Sequence, residues 1–355
     1  MGKFLIRRIL AIPVTFIIIT MVLYGIIMLT PINTRIDLYM PDSPKVLSNP
    51  EILERTRQQI IERYHLDESY LTQYFYWLTG ILQGDWGYSP VLNNEVLPEI
   101  LNRTPATLEL LFYCMLLYIP LGLIAGVHAA EKKEKGADHL FRFFAFAGSA
   151  IPDFILSIIL LAFFYINLGW FGPERLSIQN NLFVKSASFT AYTGFMTIDG
   201  FLNNRADISL DAFRHLAMPV FTLCIAQWAT LGRITRNATI EEMNKDYINA
   251  ARARGLSEKR IVWNHAFQNA LGPALNSSAL TTAMLITNVF VVERIFNING
   301  ISEMISMFGP SVPDAAAILG FGVYCVILVL LLMLILDILQ AVLLPRTRKG
   351  TLENA

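Results

Sequence analysis

Apolar and polar positions alternate along this chain in blocks, not residue by residue. Six stretches, 9–29, 107–130, 143–170, 216–231, 273–292 and 316–344, are long and almost free of charge. A bilayer core about 30 Å thick is crossed by about 20 helical residues, and the fourth stretch is the shortest of the six. A lone strand leaves its backbone unsatisfied in hydrocarbon, so each stretch is expected to be a helix. The pattern predicts an all-α integral membrane protein with six transmembrane helices. The first stretch follows Lys3, Arg7 and Arg8. Its apolar run exceeds a typical signal-peptide core of about 7–15 residues and ends at Pro31 without an A-x-A site, so a retained anchor is expected.

Between the spans the pattern changes. Segment 32–104 is too long for a simple turn. Charges alternate over 51–64 as in a solvated helix, and Tyr70, Tyr74, Trp77, Leu78 and Ile81 form a stripe of helical period. Gly84-Asp85-Trp86-Gly87 then turns the chain. The aromatic stripe suits a belt at the headgroups or a docking surface for an external partner. Segment 171–214 is polar, with no periodic signal. Segment 233–272 reads as two short helices, 239–253 and 258–271, around Arg254-Gly255. Glycine is favoured at the left-handed position after a helix, Ser257 is a suitable N-cap for the second helix, and Glu258 suits its dipole. Gly272-Pro273 is expected to hand over to the fifth span.

Composition agrees with a membrane protein. The 355 residues are 54% hydrophobic and only 16% charged, with a mean hydropathy of +0.47, whereas soluble domains carry about 25% charged residues. Net charge is zero, which argues against a large nucleic-acid surface. Segments 1–8, 131–142, 233–271 and 346–355 hold more than half of the 28 Lys and Arg residues. Together they are half as long as the opposite segments 32–104, 171–214 and 294–314. The positive-inside rule therefore puts both termini in the cytoplasm, 32–104 outside as a large extracytoplasmic loop with short helices, and 233–272 inside.

Candidate chemistry is sparse. Cys114, Cys224 and Cys325 all lie within spans and outside any C-x-x-C spacing, as small buried apolar residues do. The five histidines are scattered without ligand spacing. H-E-x-x-H, G-x-S-x-G and the phosphate-cradling G-x-x-x-x-G-K-[ST] are missing, so neither a catalytic residue nor a bound metal or cofactor is expected in this chain. On the fifth span Ser277, Thr281 and Asn288 lie at i, i+4 and i+11, beside Ser278 and Thr282. Such a stripe either lines a translocation path or packs helices together. Asp153 and Glu109 sit near span entrances, and Asp337 lies within the last span. The small pair Ala250 and Ala251 ahead of Gly255 would let another protein approach the backbone closely, and an amphipathic hairpin on anionic headgroups fits the same residues.

The run Asp246-Tyr247-Ile248-x-Ala250-Ala251-Arg252-Ala253-Arg254-Gly255-Leu256-Ser257, followed by His265-Ala266-x-x-Asn269-Ala270-Leu271-x-Pro273, resembles the EAA loop of binding-protein-dependent ABC importer permeases, in the dipeptide/oligopeptide/nickel branch. Arg103-Thr104-Pro105-Ala106-Thr107-Leu108-Glu109-Leu110, Gly84-Asp85-Trp86-Gly87-Tyr88-Ser89, Ser149-Ala150-Ile151-Pro152-x-Phe154, Val292-Glu293-x-Ile295-Phe296 and the end from Asp337 to Pro345-Arg346 are similar to other segments of that family. The likeness covers nearly the whole chain, and the long first loop is similar to the B-type subunit. Three places depart from the pattern. Asn249 stands at the acidic position that names the motif, Ile32-Asn33-Thr34 follows Pro31 in place of Gly-Asp-Pro, and Asn297-Ile298-Asn299-Gly300 replaces a Trp-Pro-Gly type turn.

The resemblance implies a type I ABC importer permease fold, one transmembrane domain over 1–355, in a prokaryotic inner membrane. It implies a second homologous permease completing a heterodimeric pore and an extracytoplasmic substrate-binding protein. ATP and Mg would sit on two separate ATPase subunits. Asp246, Ala250, Ala251, Arg252, Arg254, Gly255, Leu256 and Ser257 would form the coupling element that docks on an ATPase. Peptides are the leading substrate; nickel chelates, glutathione or oligosaccharides belong to the same branch. An ion-coupled secondary transporter, which usually shows internal repeats and discontinuous spans, and a non-transporting scaffold are the readings from other classes.

Overall fold

The computed structural model describes residues 2–41, 46, 48–307 and 314–343, and of these leaves the side chains of 2–5, 277–280, 305–307 and 343 undescribed. Its helices, in chain order, are α1 (Gly2–Met28), α2 (Ile32–Asp37), α3 (Pro50–Tyr64), α4 (Tyr70–Gln83), α5 (Val96–Glu131), α6 (Gly136–Ala150), α7 (Asp153–Leu160), α8 (Ile178–Val184), α9 (Met196–Leu202), α10 (Ala206–Met243), α11 (Asp246–Ala253), α12 (Glu258–Ile261), α13 (Phe267–Ile295), α14 (Ser302–Met307) and α15 (Ala315–Leu343). A two-residue hairpin pairs Tyr88 with Glu95 and Ser89 with Asn94. Among the described residues four helices are long and apolar enough to cross a bilayer, and the number rises to six when two bent helix pairs each count as one span.

The third span is not the continuous helix expected over 143–170. α6 and α7 meet at 97°. Proline at 152 pushes Ile151 out of the helical region, to ψ 118, and is itself extended at ψ 140. Two consecutive extended residues end one helix and start another. A π-helical segment, Leu161–Asn167, continues α7. The segment 171–214, without a periodic signal, contains α8, α9 and the first turns of α10. The fourth span is the middle of a 38-residue helix that runs straight through Pro219.

The chain divides into two compact units. One comprises Ile6–Pro105 and Gly300–Leu330. Within it α3 starts at Pro50 behind Asn49, whose side chain accepts from the Glu51 and Ile52 N–H groups, an N-cap with proline at the first helical position. The stripe on α4 is neither a free belt nor an open docking face. Tyr74 Oη lies 2.9 Å from Thr20 Oγ1 and donates to the Ile17 carbonyl, while Tyr70 donates to the Met21 carbonyl. With Trp77 these rings surround Tyr24 of α1, at centroid distances of 5.1–6.2 Å. Buried tyrosines need hydroxyl partners, and the backbone of α1 supplies them. Asp314 caps α15 by accepting from the Ala317 N–H at 2.9 Å, and its other oxygen holds Ser89 of the hairpin.

The other unit comprises Met1–Leu5, Ala106–Asn299 and Leu331–Ala355. α10 is its central element, packed on α6 and α13. Close approach to α5 is possible because both helices present glycine: a Cβ on Gly126 would lie 2.5 Å from the Gly232 carbonyl oxygen and 2.7 Å from Thr235 Cβ. Buried carboxylates tie down the loop 171–205, and one of them reaches it from α5. Glu109 on α5 is fully buried and accepts from Thr197 N–H (2.9 Å), Thr197 Oγ1 (2.7 Å) and both the Nε (3.0 Å) and an Nη of Arg175. Arg175 also donates to the Gly194 carbonyl. Cys114 and Cys224 are buried as expected, with sulfurs 3.5 Å apart, and Cys325 is half-buried.

Candidate functional site

The corner between the fourth and fifth spans begins differently from its sequence reading. Instead of one helix over 239–253, α10 continues to Met243, the chain turns at Asn244 and Lys245, and α11 restarts at Asp246. α11 ends in a closed cap. Gly255 N–H donates to the Arg252 carbonyl (2.9 Å) and Leu256 N–H to the Ala251 carbonyl (3.3 Å). Gly255 sits at φ +77°. This is the Schellman arrangement, which needs a left-handed residue at that position. Leu256 folds back onto a cluster of Ile248, Ala251, Ile261 and Ala266, the apolar contact that accompanies such caps.

The two alanines therefore separate. Ala251 is buried in this cluster and Ala250 is exposed, because adjacent residues on a helix lie about 100° apart. Of the two, Ala250 presents its small side chain to the outside, together with exposed Asp246, Arg252, Ala253, Arg254, Gly255 and Ser257. Around Gly255 there is open space, since an added Cβ would meet no atom within 4 Å. Arg252 Nε donates to Glu258 Oε1 across the corner at 2.7 Å. That hydrogen bond holds the Glu258 carboxyl below the usual carboxylate range. Ser257 stands at the N-cap position in extended backbone, but its hydroxyl makes no cap bond. The second helix is also not a separate element: α12 passes through a π-helical turn, Val262–Ala266, into α13, which runs through Pro273.

Two contacts missed in the sequence join this corner to the spans. Tyr247 Oη donates to Glu242 Oε2 at the end of α10 (2.7 Å) and accepts from Asn269 Nδ2 at the start of α13 (3.0 Å). Burial pushes the Tyr247 hydroxyl pKa up, with Asn269 opposing and Glu242 adding to the shift. Trp263 Nε1 donates to Glu131 Oε2 at the end of α5 (3.2 Å). Tyr247 and Asn269 stand 22 residues apart, and only the folded corner brings them together. Through these bonds the corner is attached to three long helices, α5, α10 and α13.

The polar stripe of the fifth span is split among different surroundings. Ser277 and Ser278 lie outside the residues whose side chains are described. Thr281 and Asn288 are half-buried. Thr282 is buried against the Tyr118 hydroxyl at 2.9 Å. Asn288 lies near the Asp153 carboxyl at the start of α7, and the Oδ2 of Asp153 is buried without a hydrogen-bond partner among the described residues.

Comparison with known proteins gives the same class. The oligopeptide transport system permease protein AppB of Bacillus subtilis is 32% identical over 311 residues, covering 86% of this chain and 89% of its own. The di/tripeptide transport system permease protein DppB of Pseudomonas aeruginosa is 32% identical over 350 residues, covering 98% and 99%. The dipeptide permease protein DppB of Haemophilus influenzae is 30% identical over 350 residues, covering 98% and 100%. The model of one family, the binding-protein-dependent transport system inner membrane component, matches residues 119–349. The chain therefore belongs to that family: it is a multi-pass inner-membrane permease subunit of an ABC transporter, a transport component and not an enzyme, working with ATPase and binding-protein partners.

Proposed function

We propose that this chain is one half of a heterodimeric pore importing di- or oligopeptides, delivered from outside by a substrate-binding protein and driven by two ATPase subunits that hold ATP and Mg. The whole chain acts as one transmembrane subunit with both termini in the cytoplasm, as its charge distribution favours. Likeness to peptide permeases over almost its full length carries the substrate reading. The corner Asp246, Ala250, Arg252, Arg254, Gly255 and Ser257 seats in an ATPase groove, with Ala251 and Leu256 shaping it from beneath. What supports this is its exposed, Cβ-free tip on a rigidly attached base.

The test is Gly255→Glu in the assembled transporter. Among the described residues no atom lies within 4 Å of an added Cβ, and the left-handed backbone costs about 1–2 kcal/mol in strain. Assembly and basal ATP hydrolysis should persist in part while uptake is abolished. Gly255→Asn, which tolerates the same φ, controls for strain and should retain part of the uptake. Unchanged uptake in Gly255→Glu would remove the corner from the coupling path. The translocation path runs along the Ser277, Thr281 and Asn288 side of α13, a reading supported by the half-exposed Asn288 beside a carboxylate in a membrane span, and thiol accessibility along that face tests it.

A further inference from the structure

α6 and α10 share a groove apart from the corner and from the polar stripe of α13. The buried side of α6 is Asp138, Phe141, Ala145 and Gly148. The opposite side carries exposed His139, Arg142, Phe143 and Phe146, which have the i, i+3, i+4, i+7 spacing of one helical face. Together with Arg233 of α10 these side chains line an open groove of about 580 Å³. His139 to Phe146 spans about 10 Å along the helix, so the groove is basic at one end and aromatic at the other.

Among the described residues no carboxylate lines the groove. Asp138 attracts Arg142, but it is fully buried and already accepts from Arg236 at 2.6 and 2.7 Å and from the Glu134 N–H at 3.0 Å. Among the described residues neither Arg142 nor Arg233 has an acidic group within ion-pairing distance. Both lie at ends of spans rich in basic residues, the level of the headgroups, and Phe143 and Phe146 continue from them toward the apolar body of the span.

We propose that this groove binds an anionic phospholipid, with its phosphodiester between Arg142 and Arg233 and its acyl chains on Phe143 and Phe146. Guanidinium groups bind phosphate oxygens in pairs, and basic pockets between membrane helices suit acidic headgroups. The exposed rings supply what a soluble anion would not need.

The purified whole transporter, reconstituted in phosphatidylcholine with phosphatidylglycerol in both leaflets and released for native mass spectrometry, tests this without depending on which face is cytoplasmic. Wild type should retain phosphatidylglycerol. Arg142→Gln should lower its affinity about fivefold, and the Arg142→Gln, Arg233→Gln pair about thirtyfold. Lysine at both positions, which keeps the charge but not the paired donors, should bind more tightly than the double glutamine variant and more weakly than wild type. Phe143→Ser with Phe146→Ser should also weaken lipid retention. Equal retention by wild type and the double glutamine variant would overturn the proposal, as would equal retention of phosphatidylcholine. Displacement of the lipid by equimolar inorganic phosphate would overturn it too, since the groove would then recognise only a small anion.

Discussion

Arg175→Met tests whether Glu109 organises the loop between the third and fourth spans. The carboxylate is fully buried and its two oxygens are served separately: Thr197 donates twice to Oε1, and Arg175 twice to Oε2. Removing the guanidinium strips Oε2 completely while leaving Oε1 satisfied. Breaking a buried ion pair costs about 3–5 kcal/mol, and the surviving Thr197 bonds place this case near the lower end. The lost bond to the Gly194 carbonyl adds about 1 kcal/mol. Glu109→Gln keeps the shape and the Thr197 bonds but turns an amide NH2 toward the guanidinium, for about 2–3 kcal/mol. Combining the two removes both the cation and the carboxylate, so the double variant should cost less than the sum by more than about 1 kcal/mol. Cys114 and Cys224 are buried, so a fluorogenic maleimide that labels them on heating reports unfolding without added probes. Single variants each costing under about 1 kcal/mol, or costs that add within about 0.5 kcal/mol, would refute the role given to Glu109.

Gly126→Ala should destabilise the α5–α10 contact by about 1–3 kcal/mol or more, because the new methyl meets the Gly232 carbonyl at 2.5 Å and backbone cannot swing aside. Gly136→Ala, with no atom within 4 Å, should stay within about 0.5 kcal/mol in the same unfolding assay. For the translocation path, Asn288→Cys should react with a polar thiol reagent in the assembled transporter, whereas Leu285→Cys, at a fully buried position, should not. An unreactive Asn288→Cys in a transporter that still imports would place the path elsewhere.

What the sequence determined by itself is whatever depends on composition and local geometry. Long uncharged runs must be helices in a bilayer, the Lys and Arg distribution selects an orientation, and Gly255 after α11 announces a left-handed cap, found at φ +77°. Proline marks the limit of such local rules. Pro152 breaks a span, but Pro13 and Pro219 lie inside continuous helices. The restriction on the preceding residue is similar at each, and whether the helix continues depends on the surrounding packing.

Tertiary structure decided the rest, because polar groups find their partners across the fold. The Tyr70 and Tyr74 stripe suited headgroups or a partner until α1 offered Met21, Ile17 and Thr20 as acceptors and neighbour. Glu109 read as an interfacial carboxylate until Arg175, 66 residues away, enclosed it. Ala250 and Ala251 read as an equivalent pair, and the fold gave one to the core and the other to the surface. Periodicity identifies which residues can share a face, but burial and hydrogen bonding from distant segments determine which face is covered and by what.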